Sequence, residues 1–231
     1  MIIEIFILVI LIGYPLLIWI FGKKASEKKI DVSRFYLKDI LLSLFILLLF
    51  FIVDPKIYNK LDFEKIGKGI VITSNTFFGV TSIFFIPFFL AFIPKNNLHP
   101  KDASQAKEIF GFPVNLMPGN SRELLLFTVY IVTGVFFEEL FCRQFIFYAL
   151  NTTLHLHGDI ILLVSSALFA IGHQSKKIKE FVLFFILGLI FGKAFQYTGN
   201  LFYPIVLHLF LNLTIVVLAF RRMKDIKNTS I

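Results

Sequence analysis

The stretch VFFEELFCRQF, residues Val135–Phe145, places two adjacent carboxylates and an arginine between apolar runs that belong in lipid or in a protein core. Ionisable side chains at membrane depth cost about 2.5–3.5 kcal/mol each on insertion scales, so they need partners or a function. Glu138, Glu139 and Arg143 are therefore the first candidates for a buried polar site. The apolar runs around them indicate the fold.

The composition is that of a membrane protein. The chain has 231 residues, of which 57% are hydrophobic and 17% aromatic, and its mean hydropathy is +0.82. Soluble domains are usually near half apolar or below, whereas this chain carries several apolar runs of about the 20 residues that cross a bilayer. We predict an all-α fold, a polytopic bundle of transmembrane helices surrounded by the lipid bilayer.

The distribution of charge and the cysteine count argue against a nucleic-acid-binding protein and a cysteine-rich protein. The net charge is +8, but the basic residues lie in short loops between apolar runs, where they can hold helix ends at an anionic membrane face. We therefore expect no nucleic acid partner. The single cysteine, Cys142, excludes an intrachain disulfide and a Cys-rich metal site.

The apolar runs predict seven spans, or eight if one is hidden in 54–75 or 100–120. The segment 105–120 is too broken by Gly and Pro to be a span and is predicted to be an interfacial stretch or an entry loop. The predicted spans are 2–21, 36–53, 76–94, 123–150, 159–175, 180–197 and 201–220.

The predicted spans divide the chain into three regions and give it an orientation. The regions are an N-terminal transmembrane region with its interfacial loop (1–120), a catalytic transmembrane core (121–220) and a basic tail (221–231). Loops on one predicted side hold 17 Lys and Arg residues and those on the other side hold four. By the positive-inside rule, the N-terminus lies outside and the C-terminus in the cytoplasm of a multi-pass cell-membrane protein.

The two glutamates are predicted to have different roles. Glu139 and Arg143 are four residues apart, share a helix face and should form a structural ion pair. Glu138 points about 100° away around the helix, toward another wall of the bundle. The alternative is that all three side chains form a packing network between helices.

Two later spans carry polar residues with the same four-residue spacing. Phe169 and His173 lie in the fifth predicted span, and His208 and Asn212 in the seventh. A lone histidine in a helix is more often a satisfied core residue than a catalyst. Polar side chains in a bilayer seek one another, so we expect these residues to converge with Glu138 on one buried pocket.

Such a pocket suits hydrolysis without a serine or cysteine nucleophile. Glu138 would be the general base for a water that His173 shares, and His173 would later carry a proton to the leaving amine. His208 and Asn212 would donate hydrogen bonds to the oxyanion. Alternatively, Glu138, His173 and His208 form a His₂Glu set for a zinc cofactor, although no His-Glu-x-x-His motif is present.

These residues also resemble the signature of a known family. Glu-Glu-x-x-x-Arg, Phe-x-x-x-His and His-x-x-x-Asn, in this order over about residues 123–215, resemble the three motifs of the CAAX prenyl protease and bacteriocin-processing (CPBP, abortive-infection-like) family of intramembrane proteases. The residues that match are Glu138, Glu139, Arg143, Phe169, His173, His208 and Asn212.

The resemblance implies an all-helical membrane endopeptidase that acts on a membrane-associated peptide or protein. It implies water activation by Glu138 and His173 and oxyanion stabilisation by His208 and Asn212. Both a glutamic and a metal-dependent mechanism are associated with the family. The competing functions are a non-catalytic immunity or scaffold protein that retains the pocket and a proton-coupled transporter, which the absence of paired broken helices disfavours.

The predicted depths of the two histidines do not agree. His173 lies at the cytoplasmic end of its predicted span, whereas His208 lies about 10 Å from the outer end of its own. A shared pocket therefore requires helices that tilt, or ends that differ from the predicted ones.

Overall fold

The computed structural model describes residues 31–53, 108–109, 112–173 and 178–229, and these residues form a helical fold with one very short hairpin. The strands of the hairpin are antiparallel and place Glu108 opposite Pro113. The elements are α1 (Val32–Val53), β1 (Glu108–Ile109), β2 (Phe112–Pro113), a 3₁₀ turn (Val114–Leu116), α2 (Ser121–Glu139), a π-helical segment (Leu140–Phe145), α3 (Ile146–Leu154), α4 (Gly158–Gly172), α5 (Ile178–Thr198) and α6 (Phe202–Thr229).

Five of the seven predicted spans fall on these helices, and the predicted spans 2–21 and 76–94 lie outside the described residues. The helical stretches Ser121–Leu154 and Phe202–Lys224 are long and apolar enough to cross a membrane, and α4 is a shorter apolar helix. The all-helical prediction is confirmed for the described residues, apart from the hairpin. The number of spans stays a prediction.

The longest helical stretch joins α2, the π-helical segment and α3 without a break. Two hydrogen bonds fix its start: the Glu123 N–H donates to Oδ1 of the N-cap residue Asn120 (2.9 Å), and the Glu123 carboxylate accepts from the Gly119 N–H (2.7 Å). The arrangement differs from a capping box in that the Glu123 carboxylate bonds the residue before the N-cap. The stretch ends at His155, which adopts a left-handed conformation with φ 50°.

The core consists of two aromatic clusters. The first surrounds the π-helical segment, where Phe141 stacks on Phe137 and on Phe145 with ring centroids 5.9 and 5.5 Å apart. The second joins α1 to the first half of α2 and to α6, and there Tyr36 stacks on Tyr130 at 5.2 Å. The second half of the long stretch is thus packed against α4 and α5, which carry or surround the candidate site.

Helices α4 and α5 pack closely because glycines lie between them. A Cβ atom on Gly188 would lie 2.9 Å from Ser166 Cα, and one on Gly192 would overlap the side chain of Leu162. The spacing of the two glycines is typical of close helix contacts in membranes, and the structure agrees with it. Lys193 of α5 also has a carboxylate partner on α4. Its Nζ atom lies 3.5 Å from Oδ1 of Asp159, in the first turn of α4.

The last helix continues beyond the predicted span. The sequence predicts a span that ends at residue 220 and a basic tail from residue 221, and α6 runs to Thr229. Arg, Lys, Met and Ile dominate this extension, and no Gly or Pro interrupts it, so the helix has no local reason to stop at residue 220. The predicted boundary at 220 is therefore a change of polarity and not a break in the helix.

Candidate active site

The carboxylate of Glu139 lies between Arg143 and His208. Its Oε2 atom is 3.2 Å from Arg143 Nε, and its Oε1 atom accepts a hydrogen bond from the His208 Nδ1–H at 2.8 Å. All three side chains are buried. The ion pair expected from the four-residue spacing is present, and it also orients the imidazole of a different helix.

Arg143 lies in the π-helical segment and is anchored on α4. Its Nη1 donates to Ser165 Oγ (3.1 Å), and the Ser165 hydroxyl in turn donates to the Cys142 carbonyl oxygen (2.7 Å). Its guanidinium carbon lies 5.1 Å from the ring centroid of Phe169. Arg143 thus connects the glutamate pair to the helix that carries His173. π-helical segments of this kind are rare and occur frequently at functional sites.

His173 follows the last residue of α4 and is held by three contacts. Its Nδ1 lies 2.8 Å from the carbonyl oxygen of Phe169. Its ring lies 4.4 Å from the Phe169 ring and stacks on Phe184 of α5 at 4.1 Å. A carbonyl oxygen only accepts hydrogen bonds, so Nδ1 carries the proton and Nε2 of the neutral imidazole presents a lone pair.

Glu138 faces the Nε2 atoms of both histidines. Its Oε2 lies 3.8 Å from His173 Nε2 and 3.9 Å from His208 Nε2. These distances are too long for direct hydrogen bonds and leave room for a bridging atom. The Oε2 atom is buried and has no hydrogen-bond partner among the described residues, although 38% of the Glu138 side chain is exposed.

The chemistry of this group favours a bridging species. When both imidazoles are neutral, with their Nδ1 protons directed to Phe169 and Glu139, and Glu138 is ionised, both Nε2 atoms present lone pairs to the Glu138 carboxylate. Three hydrogen-bond acceptors with no donor between them repel one another, and an unsatisfied buried acceptor costs about 1–3 kcal/mol. A water molecule, a proton or a metal cation between them would relieve this repulsion. The arrangement is thus suited to hold a reactive water.

The same three residues also fit a metal ion. Glu138, His173 and His208 each offer one ligand atom, and these atoms lie within 4.8 Å of one another. Histidines that bind metals usually donate their other N–H to a carboxylate or a carbonyl. Here His208 donates to Glu139 and His173 donates to Phe169. A His₂Glu set with a water as fourth ligand is a known catalytic zinc site.

The other two predicted residues lie on the same helices as the histidines. Asn212 is half-buried and lies one helical turn after His208 on α6. Phe169 is buried and contacts both histidines, with its ring 5.6 Å from that of His208. The three motifs, which are far apart in the sequence, are therefore carried by helices that meet at Glu138, His173 and His208.

Sequence reasoning missed three residues that support the site, namely Ser165, Phe184 and Phe191. Phe191 stacks on His208 at 5.0 Å. The two phenylalanines share the face of α5 that carries Gly188, which indicates a helix packed closely against its neighbours. That shared face is a signal that the sequence contains. Ser165 has no comparable signal, because a serine in an apolar span is often bonded only to its own helix.

The comparisons with known proteins agree with the motifs. A family model described as type II CAAX prenyl endopeptidase Rce1-like matches residues 120–214, a segment that contains all three motifs. The family resemblance predicted from the motifs is thereby confirmed over this segment. No curated protein and no solved structure matches the chain.

Proposed function

We propose that this chain is an intramembrane endopeptidase that hydrolyses a peptide bond of a membrane-associated peptide or protein. Glu138 and His173 activate a water molecule, and His208 and Asn212 stabilise the oxyanion. One observation carries the proposal: a buried oxygen of Glu138, which has no hydrogen-bond partner among the described residues, faces the Nε2 atoms of two histidines. The family match over residues 120–214 supports a CAAX-type protease.

The first step is attack by water on the scissile carbonyl carbon. A water between Glu138 Oε2 and His173 Nε2 donates one hydrogen to each, which leaves an oxygen lone pair for the carbonyl carbon. Glu138 accepts the proton as the new C–O bond forms. The exposed part of the Glu138 side chain gives the substrate a side from which to approach this water.

The second step is stabilisation of the tetrahedral intermediate and its collapse. Because Nδ1 of His208 already donates to Glu139, donation from Nε2 to the oxyanion requires a proton on both ring nitrogens. In this form of the proposal His208 is therefore an imidazolium before the substrate binds, and the Glu139 carboxylate stabilises its charge. The Asn212 amide supplies the second donor. The intermediate collapses with cleavage of the C–N bond, and the leaving amine takes the proton from Glu138 through His173.

A metal-dependent form of the proposal uses the same residues. Glu138, His173 and His208 would hold a zinc ion, which would polarise the water and the substrate carbonyl. In that form both Nε2 atoms stay unprotonated as ligands, and Asn212 is left as the donor to the oxyanion. The two forms therefore assign different protonation states to His208.

Cleavage by the purified protein tests the proposal. Detergent-purified wild type is incubated with a library of membrane-anchored peptides beside His173→Asn, His208→Asn and His157→Asn. His157 precedes α4 outside the site, and asparagine is a favourable residue at such a helix start, so His157→Asn is a matched control. We expect the control to retain cleavage and both site variants to lose it. Full turnover by both site variants would contradict the proposal.

A strong chelator separates the two forms of the proposal. Cleavage by wild type that survives prolonged chelation supports the glutamate-activated water. Cleavage that is lost on chelation and restored by zinc alone supports the metal form with Glu138, His173 and His208 as ligands. Zinc retention by the His173→Asn protein at wild-type stoichiometry would contradict that ligand set.

A further inference from the structure

Helix α5 carries none of the motif residues, yet two of its aromatic rings lie against the two site histidines. Phe184 stacks on His173 with ring centroids 4.1 Å apart and an interplanar angle of 23°. Phe191 stacks on His208 at 5.0 Å with the same angle. Phe184 and Phe191 thus form an aromatic wall against the two imidazoles.

The approach of this wall depends on the glycine face of α5. Phe184, Gly188 and Phe191 follow at intervals of four and three residues, so they lie on one face of the helix. Gly188 allows the backbone of α5 to approach Ser166 of α4, where a Cβ atom would lie 2.9 Å from Ser166 Cα. The close backbone contact brings the flanking rings within stacking distance of the histidines.

The two histidines do not depend on this wall to the same degree. His208 is buried and is held by a charged hydrogen bond of 2.8 Å to Glu139. His173 lies at the end of α4, its side chain is 23% exposed, and its Nδ1 hydrogen bond goes to the neutral carbonyl of Phe169. Rotation of the His173 ring about its Cβ–Cγ bond would move Nε2 away from Glu138. Stacking on Phe184 fixes the plane of this ring.

We propose that Phe184 is a positioning residue for the hydrolysis, because it holds the His173 ring in the plane that directs Nε2 toward Glu138. This inference rests on the proposed function. It assigns Phe184 a role in turnover, whereas Phe191, which is buried beside an already fixed histidine, contributes mainly to packing. Stacked aromatic pairs have the energy needed for such a role, about 0.5–1.5 kcal/mol beyond area burial.

The test compares Phe184→Leu with Phe184→Tyr and with the matched control Phe185→Leu. Phe185 is the next residue, is also half-buried and stacks on Phe181. We expect Phe184→Leu to lower kcat at least about tenfold with little change in KM, because small displacements of catalytic groups have large effects on rate. Phe184→Tyr restores the ring and should restore kcat, and Phe185→Leu should behave as wild type.

A spectroscopic signature separates positioning from general loss of structure. The Phe184 ring current should shift the His173 ring protons upfield in protein labelled on histidine, and the His173→Asn variant identifies their resonances. We expect the upfield shift in wild type and Phe184→Tyr and its loss in Phe184→Leu, while the thermal midpoint of the Phe184→Leu protein remains close to that of Phe185→Leu.

Two results would overturn the inference. Unchanged His173 resonances in Phe184→Leu would show that the rings do not stack, and wild-type kcat in that variant would show that the stacking does not serve turnover. Failure of the proposed function looks different: no protein would cleave, wild type included, while the resonance shift persisted.

Discussion

At the residue scale, adjacent glutamates have opposite surroundings. The carboxylate of Glu139 is buried and neutralised by Arg143 and His208. That of Glu138 faces two imidazole nitrogens at 3.8 and 3.9 Å, too far for direct hydrogen bonds, and 38% of its side chain is exposed. Glu139 is therefore suited to hold the site together, and Glu138 to react.

This difference predicts opposite effects of substitution on stability. Arg143→Leu leaves the buried Glu139 carboxylate without its cation, and breaking a buried ion pair costs about 3–5 kcal/mol. Glu138→Gln removes a carboxylate that makes no direct hydrogen bond through its buried oxygen in the described part of the chain, so we expect little loss or a small gain of stability. Thermal or denaturant unfolding in detergent measures both. If Glu138→Gln destabilises the protein as much as Arg143→Leu does, the pocket serves packing, as in a scaffold or immunity protein.

The sequence predicts part of this arrangement. The spacing of four residues predicts the Glu139–Arg143 pair, and the rotation of about 100° per residue separates Glu138 from it. The hydrogen bond from His208 to Glu139 joins residues 69 positions apart. Helical spacing carries no information on such a contact, because it depends on which helices are neighbours in the bundle.

At the element scale, the site depends on where helices end and how closely they approach. His173 directly follows the last residue of α4, and side chains on a helix lean toward its N-terminus. This lean carries the imidazole back along α4, toward the level of His208. The structure brings His173 and His208 together at Glu138, as a shared pocket requires, with α4 ending at Gly172. The π-helical segment was not predictable, since its residues have no period that distinguishes it from an α-helix.

A glycine in the contact between α4 and α5 should respond to alanine substitution differently from a glycine outside it. At Gly188 a Cβ atom would meet the backbone of Ser166 at 2.9 Å, whereas at Gly134 in α2 nothing lies within 4 Å. We expect Gly188→Ala to destabilise the protein by about 1–3 kcal/mol through overpacking. Gly134→Ala should be neutral or stabilise by up to about 1 kcal/mol, because alanine favours helices.

Unfolding of the two glycine variants in one detergent provides the comparison. Equal stability of both variants would show that α4 and α5 are not in close contact at Gly188. A lower kcat in Gly188→Ala would follow from the same displacement, since the aromatic wall would move away from the histidines.

At the scale of the whole molecule, composition and charge predict a membrane protein with a defined orientation. The apolar stretches Ser121–Leu154 and Phe202–Lys224 agree with membrane crossing by length and composition. The excess of Lys and Arg in alternate loops predicts that the end of α6 lies in the cytoplasm. Composition gives the class of fold but not the neighbours of each helix, because lipid and helix interiors favour the same apolar residues.

Cysteine labelling tests the orientation. Cys142 is buried, so single cysteines introduced at exposed positions report on access. We expect Lys224→Cys to resist a membrane-impermeant thiol reagent in intact cells and to react once the cells are permeabilised. His157→Cys, in the loop before α4, should react in intact cells. Labelling in the reverse pattern would contradict the predicted orientation.

The most direct measurement is the kcat/KM of Glu138→Gln against that of Glu123→Gln. Both substitutions remove a glutamate from α2, but Glu123 lies in the first turn, where its carboxylate accepts from Gly119. The account predicts a loss of about 10²–10⁴-fold for Glu138→Gln, the usual effect of removing a general base. Glu123→Gln should stay near wild type. Equal kcat/KM values for the two variants would contradict the claim that Glu138 activates the water.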